Sequence, residues 1–166
     1  MRRIYAFCAA IIVLLCSCNE ARSDTEGIIK AVSESFSDCL PSTLFYTSKT
    51  EEGEDGYFDP GLVGAMLGDD GSVPRQISGC AEISFLCSNT LSVCEVWAVE
   101  CYTYEGAREV LSVFEKRKKL LSSIEFENEA DAKASTCAQV TRRGRYVFFA
   151  ACGKSEDVMS FMLSLL

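Results

Sequence analysis

Residues 81–88 read Ala81-Glu82-Ile83-Ser84-Phe85-Leu86-Cys87-Ser88, and residues 93–102 read Val93-Cys94-Glu95-Val96-Trp97-Ala98-Val99-Glu100-Cys101-Tyr102. Both runs are rich in β-branched and aromatic residues and flank Asn89-Thr90-Leu91-Ser92, a pattern that predicts a β-hairpin. With the turn centred between Thr90 and Leu91, Cys87 faces Cys94 and Cys80 faces Cys101. Because side chains alternate, the two pairs then lie on opposite faces of the sheet. Facing residues of an antiparallel pair come close enough for a disulfide, although its geometry is restrictive. The competing reading of these cysteines is that they are small buried hydrophobes.

C-terminal to this hairpin, Ala107, Val110, Leu111, Phe114 and Leu121 recur on one face of a helix spanning roughly 105–123, with Lys118 interrupting the stripe. Lys116-Arg117-Lys118-Lys119 is expected to favour the C-terminal half of that helix through its dipole. Residues 125–133 read as a loop or frayed helix. A second hairpin is predicted from Thr136–Arg142 and Arg145–Cys152, turning at Arg143-Gly144, where glycine supplies the positive φ. Ser155-Glu156-Asp157 is expected to cap a last helix that carries Val158, Phe161, Met162 and Leu165 on one face. The order β-β-α-β-β-α, with one apolar stripe per helix, predicts an α+β domain: a four-stranded antiparallel sheet with both helices packed on one face.

One or two helices precede this unit. Ser23-Asp24-Thr25-Glu26 matches a capping box, and Ile28, Ile29, Val32, Phe36 and Leu40 follow at helical spacing, with Pro41 stopping the helix near Cys39. Leu44-Phe45-Tyr46 reads as a short extended stretch. Asp59-Pro60 opens a second helix that Gly68 ends. Gly61 and Gly64 lack the preceding strand and following GK[ST] of a phosphate loop and receive no nucleotide role. Glu51-Glu52-Gly53-Glu54-Asp55-Gly56 fails as an EF-hand, because Gly53 and Leu62 occupy ligand positions, and reads as a solvated acidic turn.

The chain has 166 residues, 10 of them Cys and none His, and 48% of them hydrophobic. This length suits one globular domain, residues 23–166, that folds on a hydrophobic core. Lacking His excludes Ser-His-Asp and Cys-His nucleophile pairs, HExxH zinc sites and CxxCH haem attachment. The absence of any CxxC argues against a zinc ribbon or a thioredoxin-type motif. No catalytic residue, cofactor or metal ligand is assigned.

At the N-terminus, Met1-Arg2-Arg3 precedes the apolar run Ile4 to Cys18, whose 15 residues are too few to span a bilayer as a helix, which takes about 20. Residues 1–17 read as a secretory signal. Leu15-Cys16-Ser17-Cys18 resembles a bacterial lipobox, so Cys18 is the expected lipidation site and residues 18–22 a short tether. Acyl chains on Cys18 give stable membrane attachment. Without residues 1–17 the chain has 14 basic against 24 acidic residues, a net charge of −10. Nucleic acid is therefore an unfavourable partner. The excess lies at the N-terminal side: residues 19–70 hold 12 acidic and 3 basic residues. Beyond Cys18 the mature thiols number seven (Cys39, Cys80, Cys87, Cys94, Cys101, Cys137 and Cys152), so one stays unpaired within the chain.

The lipobox at Cys18, the strand Glu95-Val96-Trp97-Ala98-Val99 feeding a helix with Arg117 in its later half, and Gly144-Arg145-Tyr146-Val147 leading the last strand and helix carry a resemblance. From about Leu40 to Leu166 the chain resembles a family of uncharacterised lipoproteins from Gram-positive, mostly anaerobic bacteria, a domain of unknown function. Trp97 and the dense cysteines depart from that pattern. The resemblance implies a membrane-anchored extracytoplasmic domain with no assigned activity, in which Glu95 and Arg117 form a structural pair.

The leading expectation is a non-catalytic binding or envelope-interaction module on the outer face of the bacterial cytoplasmic membrane, meeting a protein or envelope partner. The alternative is a thiol-based redox or soft-metal-binding protein using the mature cysteines. A hydrolase using Glu82, Glu95 or Glu100 ranks last.

Overall fold

The computed structural model describes residues 23–89 and 92–166. Residues 1–22, on which the expected leader, lipidation site and tether fall, and Thr90 and Leu91 lie outside them. Five strands form one antiparallel sheet: β1 (Thr43–Thr47), β2 (Glu82–Ser88), β3 (Glu95–Glu100), β4 (Gln139–Arg143) and β5 (Tyr146–Ala151), ordered β1-β2-β3-β5-β4. Six helices surround it among the described residues: α1 (Thr25–Ser35), α2 (Pro60–Leu67), α3 (Arg75–Ser78), α4 (Tyr104–Ser123), α5 (Glu129–Thr136) and α6 (Ser155–Ser164).

The α+β class and the presence of both hairpins match the sequence reading. The second hairpin, however, turns at Gly144-Arg145, with Arg143 paired to Tyr146, rather than at Arg143-Gly144, and Thr136 belongs to α5. Strand number and helix placement differ as well. The sheet has five strands rather than four, because the extended stretch at Leu44 to Tyr46 pairs with β2 as an edge strand. The helices also cover both faces instead of one. On one face α4, α2 and α3 place Phe114, Val110, Val63 and Ile77 against Phe85, Trp97, Val99 and Phe149. On the other, α1 and α6 place Ile28, Ile29, Val158 and Met162 against Leu86, Val96, Ala98 and Phe148. Neighbouring residues of β3 and β5 belong to opposite cores, and five of the six β3 residues and all six of β5 are buried. Two-sided burial explains why these strands read as continuous apolar runs instead of alternating ones.

The first hairpin also differs in register by one residue. Cys87 stands opposite Glu95 and Phe85 opposite Trp97, and the ladder continues through Ser88 N–H to the Cys94 carbonyl. A one-residue slip exchanges the faces of one strand. The observed pairing puts Phe85, rather than Ser84, against the indole, where the two rings stack at 3.9 Å. Cys87 therefore points into the α4 core and Cys94 into the α1–α6 core, so the expected Cys87–Cys94 pairing does not form.

Local signals explain most element ends, but α6 is not capped by Ser155: Lys154 precedes its first residue without a side-chain cap, and the Ser155 hydroxyl bonds the Cys152 backbone instead. Asp59 accepts from Gly61 N–H and Pro60 takes the first position of α2, as expected. Gly64, within α2, is required by a close approach: a Cβ there would lie 2.1 Å from the Gly71 carbonyl oxygen. Gly144 turns the second hairpin with φ 63°. Helix α1 is capped by Asp24, not Ser23, and ends at Ser35, short of Cys39. Asn128 caps α5, making an ordered helix of the segment expected to fray. The basic run of α4 stops before its last turn, which holds no cation, so the expected dipole role does not apply there.

Candidate functional site

Glu95 opens β3 on the face that β3 shares with Trp97 and Val99, which sends its carboxylate beneath α4. It is 1% exposed, yet both oxygens are occupied. Arg117 Nε donates to Oε1 at 2.8 Å and the Trp97 indole Nε1 donates to Oε2 at 2.7 Å. Arg117, from the basic run, is turned to this carboxylate, its side chain 16% exposed. The pairing of Glu95 with Arg117 matches what the family resemblance implied. A cleft of about 140 Å³ opens beside them, lined by Leu62, Met66, Cys87, Ser92 and Val93 among others. The Cys87 thiol lies next to this carboxylate; burial and then the Glu95 charge push it up to about 11, which keeps it neutral and a poor nucleophile.

Across the same end of the sheet, a cavity of about 260 Å³ is lined by three thiols, Cys39, Cys94 and Cys152, together with Asp38, Asp131 and Lys133. Asp131 of α5 accepts from Ser92 Oγ at 2.6 Å and Val93 N–H at 3.2 Å, fastening the strand entry to the helix. Burial, then the neighbouring Cys152, raise Cys39 to about 11. Burial likewise raises Cys94 to about 12. Among the described residues, no group of three or more Cys, Asp or Glu has an arrangement that could hold a metal ion. Soft-metal capture gains no site from this cavity.

At the opposite end of the hairpin, Cys80 Sγ and Cys101 Sγ lie 3.8 Å apart as free thiols. The sequence reading brought these two together through a register the strands do not have. They meet because Cys80 lies outside the ladder, in the turn that follows α3, and its thiol also reaches the Gln76 carbonyl at 3.1 Å.

The carboxylates considered for hydrolysis do not converge. Glu82 and Glu100 are cross-strand neighbours, but each has its own cation: Lys49 at 3.2 Å for Glu82 and Arg145 at 2.7 Å for Glu100. Glu82 further accepts from Thr25, whose hydroxyl joins a buried chain through Ser84 to Thr47. Glu95 lies at the far end of the ladder on the other face. Such dispersed, ion-paired carboxylates lack the acid and base partners that hydrolysis needs at one point.

Sequence reasoning missed the Trp97 and Asp131 contacts. The i, i+2 spacing of Glu95 and Trp97 on a strand was the available signal for the first, since those positions share a face; Asp131 carried none, because its segment is weakly patterned. Comparison of the chain with protein-family models, curated proteins and solved structures returned no match.

Proposed function

We infer that the chain is a lipid-anchored extracytoplasmic protein, held by Cys18 on the outer face of the bacterial cytoplasmic membrane, that acts as a non-catalytic binding or envelope-interaction module. The observation that carries the non-catalytic half is the placement of Glu95: the most buried carboxylate among the described residues is tied to Arg117 and Trp97, partners that fasten α4 to the sheet. The raised thiols of Cys39, Cys87 and Cys94 support the same reading, since the thiolate is the reactive form. The lipobox at Leu15 to Cys18 supports the anchor. An uncharacterised lipoprotein of the Gram-positive type is the kind of protein this describes.

The test is thiol labelling of intact cells with a membrane-impermeant maleimide, read at half-buried Cys137 with Cys137→Ser as the control. Labelling of whole cells is expected. Labelling that appears only after lysis would place the domain in the cytoplasm and overturn the reading. In-cell crosslinking then identifies what the domain contacts.

A further inference from the structure

We propose that Cys80 and Cys101 are a reversible dithiol/disulfide couple that reacts with small-molecule disulfides, Cys80 being the attacking thiol and Cys101 the resolving one. The inference does not depend on membrane anchoring.

Three observations carry it. The two sulfurs already touch at 3.8 Å, and both sit in irregular backbone, Cys80 after α3 and Cys101 just past β3. Cys80 is free of the ladder, whereas the Cys101 N–H extends it to the Arg145 carbonyl at 3.0 Å, so the adjustment to the bonding distance of about 2.0 Å falls on the Cys80 side. Access divides the roles: Cys80 is half-buried, whereas Cys101 is 2% exposed. An external disulfide therefore meets Cys80 first. The resting contact favours the thiolate of Cys101 and holds Cys80 protonated, so Cys80 reacts only after its side chain swings out of that contact toward solvent. Cys87 and Cys94 occupy different cores, whereas half-buried Cys39 and buried Cys152 also touch and form the competing pair that the experiment must separate from this one.

The exchange balances in two steps. Cys80, its proton passed to solvent, attacks one sulfur of the small disulfide; that S–S bond breaks and the departing half leaves as a thiolate that takes up a proton. Cys101, deprotonated in turn, attacks Sγ of Cys80 in the mixed disulfide and expels the second half in the same way. Two protein thiols are oxidised to one disulfide, and one small disulfide is reduced to two thiols. The product ties the exit of β3 to the end of α3.

The experiment is incubation of the purified chain with oxidised glutathione, acid quenching, alkylation and peptide mapping. In the wild type a Cys80–Cys101 linked peptide is expected, with the other thiols alkylated. Cys101→Ser should accumulate glutathione on Cys80, and Cys80→Ser should leave Cys101 unmodified. A wild-type linkage between Cys39 and Cys152 with Cys80 and Cys101 free would overturn the proposal. So would equal glutathione adducts on Cys80 and Cys101 in the two variants, or a folded Cys101→Ser chain, judged by its native far-ultraviolet spectrum, that acquires no adduct.

Discussion

Arg117 of α4 reaches 22 positions back along the chain to bond the buried Glu95 of β3 at 2.8 Å, and the Trp97 indole closes the other side of the same carboxylate. This clasp fixes the helix to the sheet at a point where the apolar stripe alone allows sliding. Taking one partner from a buried ion pair leaves an uncompensated charge, a loss of ~3–5 kcal/mol.

Arg117→Ala should therefore lower the urea denaturation midpoint strongly, while Lys116→Ala and Lys119→Ala, both exposed, should change stability by about 0.5 kcal/mol or less. Equal effects at all three positions would mean that the clasp contributes nothing specific.

Trp97 is fully buried and stacked on Phe85. Its fluorescence should be blue-shifted in the native chain and move to the red on unfolding. Trp97→Phe keeps much of the packing but removes the indole donor from Glu95, and a buried acceptor left unpaired costs ~1–3 kcal/mol. Chemical denaturation of this variant measures that loss.

Much of this was readable before the fold was known, and the misses have physical causes. The helix at 105–123 and the start at Asp59-Pro60 were legible because helical period and cap chemistry are local. A single stripe says that a helix buries one side; it does not say on which face of the sheet. The unbroken apolar runs Val96 to Val99 and Tyr146 to Ala151 held that information, since a sheet with one wet face alternates. Strand β1 showed as a short extended stretch whose pairing partner carries no local signal, and the segment of α5 is weakly patterned. The hairpin register depended on a two-residue assumption about the turn, and the packing of Phe85 on Trp97 decided it otherwise. The Glu95–Arg117 pair came from the family resemblance; its spacing alone, across a strand, a turn and a helix, carries no local signal.

Alkaline pH should destabilise the fold. Cys39 and Cys87 are raised to about 11 and Cys94 to about 12, from an ordinary value of 9.0. The unfolded chain then loses thiol protons before the folded one does, so stability is complete below about pH 9 and falls as pH rises toward 11. Denaturation midpoints measured from pH 7 upward should decline in that window. Cys87→Ala and Cys94→Ala should each decline less steeply than the wild type.

In α6, Met162 is fully buried against the sheet, whereas Phe161 is half-buried with its ring edge-on to Phe36 at 5.4 Å. Met162→Ala should cost ~2–5 kcal/mol. Phe161→Ala should cost less than a fully buried phenylalanine would, because part of its surface already meets water. A larger loss at Phe161 than at Met162, measured by denaturant titration, would contradict this assignment of the inner face.

The anchor at Cys18 is tested most directly by the mass and fractionation of the mature N-terminus. Wild-type protein from membranes should begin at Cys18 and carry acyl chains, and Cys18→Ala should accumulate as unprocessed precursor or move to the soluble fraction. A Cys18→Ala protein recovered processed, and still requiring detergent, would contradict the account.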